Sequence, residues 1–348
     1  MWAMIRKEFR QVRRDRRTLG LMIAMPVMLL VVFGYAASFD VERLTTVVYG
    51  PAATAVASRL PGFFDVIETD ASGGADEATE RLRRGGVAVA LIADQNAPRA
   101  LIDGSQLFAA RAAVQALSAV GEQNPGGIDL EVLFNPQLDT SAILIPGLAG
   151  LILIFIGTLL TSLGVVRERQ AGTLEQLAVM PLRPRDVFIG KVAPYFLVAA
   201  LDLVIVLIVG TLLFDVPFNG NPLILALAAL IFLFVTLGFG VLVSTVSENQ
   251  GQAVQLALIT LLPQILLSGI IFPLTSMAAG VRWIGYLFPL TYFNQIAQGV
   301  MLRDADLADL LVPFALLFAL ALVVFSLATL RFRRDLGASE RRRVHAPS

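Results

Sequence analysis

Six long apolar runs, separated by polar or charged stretches, dominate the pattern along the chain: Thr18 to Phe39, Ala142 to Val166, Val187 to Phe214, Pro222 to Val246, Ala253 to Phe272 and Leu310 to Leu330. A helix needs about 20 mostly apolar residues to cross a hydrocarbon core, so each run is expected to span a membrane. From Asp40 to Ser141 the pattern changes, and short β-rich runs alternate with helical ones. Strands are expected at Leu44 to Tyr49, Phe63 to Thr69, Val87 to Ile92, Arg99 to Ile102 and Leu130 to Phe134. Helices are expected at Ala52 to Arg59, Gly74 to Arg84 and Gln106 to Val120. About 100 residues can bury a core of their own. The pattern predicts an α-helical polytopic membrane protein: six transmembrane helices, with an α/β extracytoplasmic domain inserted between helices 1 and 2.

The boundaries that follow are a cytoplasmic amphipathic interface helix over 1–17, a first span over 18–39 and the α/β domain over 40–141. Five further spans lie within 142–330, with a cytoplasmic helical insert at 167–186 and short external helices at 273–309. A basic tail fills 331–348. A mean hydropathy of +0.74 with 56% hydrophobic residues excludes a soluble globular protein, because no soluble core has room for six such helices. The external segment holds Trp283, Tyr286, Phe288, Tyr292 and Phe293 in a stretch too interrupted to span, and these aromatics are expected at the outer interface.

The formal net charge is zero, but 18 of the 27 Lys and Arg fall in the N-terminal segment, the 167–191 loop and the C-terminal tail. Basic loops resist translocation, so both termini and that loop are expected in the cytoplasm of a cell-membrane protein. The 40–141 insert, with 7 basic and 14 acidic residues, is expected outside. The Ser247 to Gln252 loop follows by helix parity. A basic leader and the small residues Ala36, Ala37 and Ser38 would also suit a cleaved signal peptide, but removing the first span would break the even helix count. Trp2, Ile5, Phe9 and Val12 share one helical face opposite basic residues; this fits a helix lying on the membrane and equally a simple charged anchor.

There is no cysteine, and the only histidine is His345 in the polar tail. Disulfides, zinc, haem and Ser-His or Cys-His catalysis are therefore excluded, and no metal or cofactor is expected in this chain. Nothing points to nucleic acid. Within the spans, Asp202 is a carboxylate in an apolar run, a functional candidate by default unless it bonds Tyr195 or a neighbouring helix. Gln255, Gln264 and Asn294, with Gln252, Ser268, Gln295 and Gln298, are candidates for a substrate path or for hydrogen bonds between helices. Gly147, Gly150, Gly157, Thr161 and Gly164 form a small-residue stripe that would let a second helix approach closely.

The 167–191 segment, RERQAGTLEQLAVMPLRPRDVFIGK, is a charged helical insert between two spans. Thr173 and Gln176 fit a capping box, Leu174, Leu177 and Ala178 make one apolar face, and Pro181 and Pro184 end the helix. Asp186 is placed to cap the next span. The segment resembles the hallmark of the ABC-2 type permease family of ATP-binding-cassette exporters, carried here by Glu168, Gly172, Thr173, Leu174, Glu175, Leu177, Pro181, Gly190 and Lys191. The LLSGIIFP run from Leu266 to Pro273, the PLTYF run from Pro289 to Phe293 and the order of elements match the same family.

The resemblance implies a half-transporter that pairs with a second permease copy or a related permease, sits in membrane lipid and couples through Gly172 to Met180 to cytoplasmic ABC ATPase subunits. No G-x-x-x-x-G-K-[ST] loop occurs in the chain, so ATP and Mg would be bound by the partner ATPase and this subunit would not itself be an enzyme. The apolar path suits an amphipathic or lipid-like cargo such as a drug, lipid or metabolite. A proton-coupled secondary transporter using Asp202 would call for repeated halves with broken helices, and no internal repeat is found. A membrane-anchored sensor or scaffold would leave the Gly172 to Met180 pattern without a role.

Overall fold

The computed structural model describes residues 41, 43–94, 98–122, 127–171, 184–274 and 277–344. The interface helix expected over 1–17, the first span over 18–39 and the segment from Gly172 to Pro181 lie outside them.

Strands form at β1 (Leu44–Tyr49), β2 (Phe64–Asp70), β3 (Val89–Ile92), β4 (Arg99–Asp103) and β5 (Asp129–Leu133). They make one sheet in the order β2-β1-β3-β4-β5, parallel except for the β3–β4 pair. Central strands of such a sheet are covered on both faces and carry unbroken apolar runs, as the fully buried VALI of β3 does. Edge strands β2 and β5 carry the exposed carboxylates Asp65, Glu68, Asp129 and Glu131, which discourage pairing with another sheet.

Helices α1 (Ala53–Ala57) and α3 (Leu107–Glu122) cover one face, where Ala53, Ala110, Ala113 and Leu117 meet Leu44, Val48 and Ile102. Helix α2 (Ala75–Arg83) covers the other, setting Ala78 and Leu82 on Val47, Tyr49 and Leu101. Its start is held by Glu77, whose carboxylate accepts the Gly74 N–H at 3.0 Å, and that bond draws the Glu77 carboxyl below its usual range. Burial first, and then a hydrogen bond to Glu68, push the Tyr49 phenol up to about 12.

The second layer of the molecule is helical: α4 (Thr140–Gln170), α5 (Pro184–Leu213), α6 (Pro222–Val246), α7 (Gln250–Leu267), α8 (Ala279–Gly285), α9 (Pro289–Met301) and α10 (Leu311–Val344). Five of these, α4, α5, α6, α7 and α10, are long and apolar enough to cross a membrane. Helix α4 is the hub, packing on α5, α6, α7 and α9, while α6 also packs on α9 and α10.

Three expectations are corrected. Helix α7 stops at Leu267 rather than Phe272, because Gly269 takes a φ of +87° and turns the chain, a conformation that glycine adopts without a Cβ clash. Helix α5 already begins by Pro184, so Asp186 sits in its first turn and not at its cap. The apolar part of α10 ends at Arg331, close to the expected Leu330, while the helix itself runs on to Val344. The aromatics of 283–293 are not all at a surface: Trp283 and Tyr286 are exposed, whereas Tyr292 and Phe293 are buried.

The small-residue stripe of α4 is occupied as expected by close neighbours. A Cβ at Gly150 would stand 2.5 Å from the Phe293 ring, and one at Gly157 would stand 2.6 Å from the Thr236 hydroxyl. Across the same contact, a Cβ at Gly240 of α6 would meet Thr161 at 2.6 Å. Removing the side chain brings the helix axes together, which replaces lipid contact with dense packing. Thr158 adds a hydrogen bond to the Thr236 carbonyl at 3.2 Å.

The α/β layer is seated on one end of the helices. Leu107 packs with Ala142, Ile143 and Leu302, and Asn135 ties β5 to α4 by donating to the Asp139 carbonyl and accepting from its N–H. Arg303, after α9, is 9% exposed and approaches the fully buried Asp103 at 4.0 Å. Arg84 reaches Asp309 at 3.4 Å.

Candidate functional site

Two regions at opposite ends of α4 gather the chemistry. At its last turn, the Arg169 guanidinium donates to the Ser244 carbonyl at 3.0 Å and to the Ser247 carbonyl at 3.1 Å. These are carbonyls of the final turn of α6, which lack intrahelical partners and carry the negative end of the helix dipole. Gln250 donates to the Gln170 side chain at 3.2 Å. The turn between α6 and α7 is itself fixed: Asn249 accepts the Gln252 N–H at 2.9 Å, and Gln252 accepts the Glu248 N–H at 2.9 Å. Glu168 is half-buried in the same turn of α4. The chain leaves this clamp at Ala171, immediately before the Gly172 to Pro181 segment.

At the other end, where α4 begins and α7 stops, a cleft of about 190 Å³ opens between the helices and the α/β layer. Asn294 of α9 and Ser268 after α7 line it, together with Gln295, Gln298 and the Ser105 to Ala109 start of α3. The Asn294 carbonyl oxygen and the Ser268 hydroxyl are buried without a hydrogen-bond partner. A Cβ at Gly147 would lie 3.0 Å from that Asn294 oxygen, so the oxygen faces α4 and the glycine lets α9 pack closely on it.

The remaining sequence candidates do not join this cleft. Gln264 is fully buried between α7 and α4, beside Phe155 and Thr158, donating to its own helix at Thr260 while its carbonyl oxygen lacks a partner. Gln255, two turns earlier on α7, likewise has a buried carbonyl oxygen without a partner. Asp202 is half-buried on α5 and lines neither this pocket nor the cleft.

Sequence reasoning missed the part that Ser105 to Ala109 plays, because nothing local marks the start of α3 as facing a segment almost 200 residues away. It also missed the clamp by Arg169, whose signal was an arginine in the last turn of a helix.

The chain is 29% identical to the probable multidrug ABC transporter permease YbhS of Escherichia coli, over 96% of this chain and 98% of that protein. It is 29% identical to the probable multidrug ABC transporter permease YbhR of the same organism, over 88% and 91%. The inner membrane transport permease YhhJ is 31% identical over 60% of this chain and 56% of its own length. The family model for ABC-2 family transporter proteins matches residues 16–330, and with five helices among the described residues long and apolar enough to cross a membrane the chain belongs to that family as a multi-pass ABC-2 type permease.

Proposed function

We propose that this chain is the membrane subunit of an exporter, that two permease subunits pair, and that a separate cytoplasmic ATPase drives them through the Gly172 to Pro181 segment. The observation that carries the reading is the Arg169 clamp. It ties the residue pair just before that segment to the ends of α6 and α7, so a push on the segment moves three spans together rather than one loop. ATP and Mg belong to the partner ATPase, and catalysis is not assigned to this chain.

The basic end of α4 faces the cytoplasm with both termini, and the α/β layer lies outside, inserted after the first of six spans. Relatives named as multidrug permeases support an amphipathic or lipid-like cargo. The buried polar groups of the helices point the same way, since Gln252, Gln264, Thr158 and Thr236 are uncharged. A proton-coupled reading would use Asp202, which lies apart from both cavities described above.

The test is co-purification of a candidate ATPase subunit with this chain in lipid, with ATP hydrolysis measured for wild type, Glu175→Arg and Leu177→Asp. Loss of the ATPase in both variants, with the membrane fold intact, is the expected result. Binding that ignores both substitutions would overturn the coupling assignment.

A further inference from the structure

We propose that the part of α10 beyond its span is an arm that docks on an acidic surface of the cytoplasmic ATPase. The apolar part of α10 ends at Arg331, while the backbone continues as unbroken helix to Val344. Over 331–344 the sequence carries Arg331, Arg333, Arg334, Arg341, Arg342 and Arg343 against Asp335 and Glu340, an excess of four positive charges. A helical stretch of about 13 residues is marginal in water by itself, so a counter-charged surface along the arm stabilises it.

The arm emerges beside the coupling segment. Ala328 is fully buried in a cluster with Val165 of α4 and Val241 of α6, so the three helices are level there. From that level α4 reaches Ala171 and the Gly172 to Pro181 segment within about two turns, and Arg169 bonds the Ser244 and Ser247 carbonyls at the end of α6. Helix α10 passes Arg331 at a similar height and runs on for about 20 Å, at a rise of about 1.5 Å per residue. A globular domain of about 200 residues has a radius of gyration of about 16 Å. A body pressed on Gly172 to Pro181 therefore stands alongside the arm for most of the arm's length.

Height separates the arginines into two groups. The headgroup layer of one leaflet is about 5–7 Å thick, and positions 333 and 334 fall within it, about 3–5 Å past Arg331. These are the anchoring charges expected at the cytoplasmic end of a span. Positions 341–343 lie about 15–18 Å past Arg331, beyond the headgroups by roughly one Debye length of about 8 Å at physiological salt. A helix tilt of about 20° brings them only about 1 Å closer. Phospholipid therefore accounts for the first group and not for the triplet, and a protein surface is the occupant at that height. The identity of the partner rests on the proposed function; the place and charge of the arm do not.

The test uses the full chain in nanodiscs with the candidate ATPase, whose association and dissociation are followed at low and at physiological salt, in zwitterionic discs and in discs containing phosphatidylglycerol. The variant is the triple reversal Arg341→Glu, Arg342→Glu and Arg343→Glu, which keeps Arg331, Arg333 and Arg334 to anchor the span. In both lipids it is expected to weaken ATPase binding about 10-fold at low salt, mainly through slower association, and to flatten the salt dependence. The triple lysine variant at the same positions is expected to bind as wild type does. Equal affinity and equal salt dependence of wild type and the reversal would overturn the proposal. So would a loss confined to phosphatidylglycerol discs, which assigns the arm to an anionic bilayer, or a lysine variant as weak as the reversal, which removes charge as the cause. Glu175→Arg separates the two readings. Binding that ignores Glu175→Arg but is weakened by the reversal sinks the coupling segment and leaves the arm; loss in Glu175→Arg with an unaffected reversal does the opposite.

Discussion

Replacing Gly150 by alanine tests the packing of α4 directly. The new methyl would stand 2.5 Å from Cδ1 and 2.9 Å from Cε1 of Phe293, and 2.8 Å from Cδ1 of Leu290. Carbon atoms settle at about 3.5–4.0 Å, so the ring must retreat by about 1 Å. It has nowhere to go: Phe293 is 1% exposed and stacks on the fully buried Phe232 with centroids 4.5 Å apart and planes at 20°. Overpacking of this kind costs about 1–3 kcal/mol, and disturbing the stack adds about 0.5–1.5 kcal/mol. The better helix propensity of alanine returns about 1 kcal/mol. A net loss of about 1–3 kcal/mol is expected, read as a lower midpoint when detergent-solubilised protein is heated and its folded fraction is followed by size exclusion. Phe293→Leu relieves the clash, so the double variant is expected to lose less than the sum of the singles. Gly62→Ala, where no atom lies within 4 Å, is expected to leave the midpoint unchanged. Equal stability of Gly150→Ala and wild type, or strictly additive losses in the double variant, would refute the close-packed contact between α4 and α9.

Three further outcomes are expected. Arg303→Met leaves the buried Asp103 without its positive neighbour, a loss on the order of 3 kcal/mol; hydrogen exchange should quicken in β4 and at the end of α9, and unchanged exchange would count against the pair as the joint between the layers. Arg169→Gln removes two charge-assisted hydrogen bonds to α6, each worth about 1.5–3 kcal/mol, so the thermal midpoint and ATPase stimulation should fall together; stimulation that survives a lowered midpoint would separate the clamp from coupling. Tyr49 has its pKa raised above the unfolded value of 10.0 to about 12, by burial first and then by Glu68. The stability it contributes is full below about pH 10 and lost as pH rises through about 12; an ultraviolet difference titration against Tyr49→Phe should show the late ionisation, and a midpoint near pH 10 would contradict it.

Among the described residues, most helices and strands were legible locally in the chain. A span must satisfy its own backbone hydrogen bonds, so Ala142 to Val166 and Pro222 to Val246 could be read locally, and the helices observed there are Thr140–Gln170 and Pro222–Val246. The strand of Leu44 to Tyr49 was legible in the same way, because its β-branched run has few alternatives. The GTLEQL segment and its flanks carried the family resemblance without any tertiary information.

What the sequence left open was which face of each span is buried, since lipid is as apolar as a helix interface and hydropathy cannot separate them. Tertiary structure alone decided that Phe293 is core while Trp283 is exposed, although both stand in one aromatic stretch. It ended α7 at a glycine with positive φ inside an apolar run. It also brought Asn294 to Ser268 and the start of α3, Arg303 to Asp103, and Arg169 to the end of α6. Each of these pairs polar groups far apart in sequence, and only the packing of α4 against its neighbours sets the distance between them.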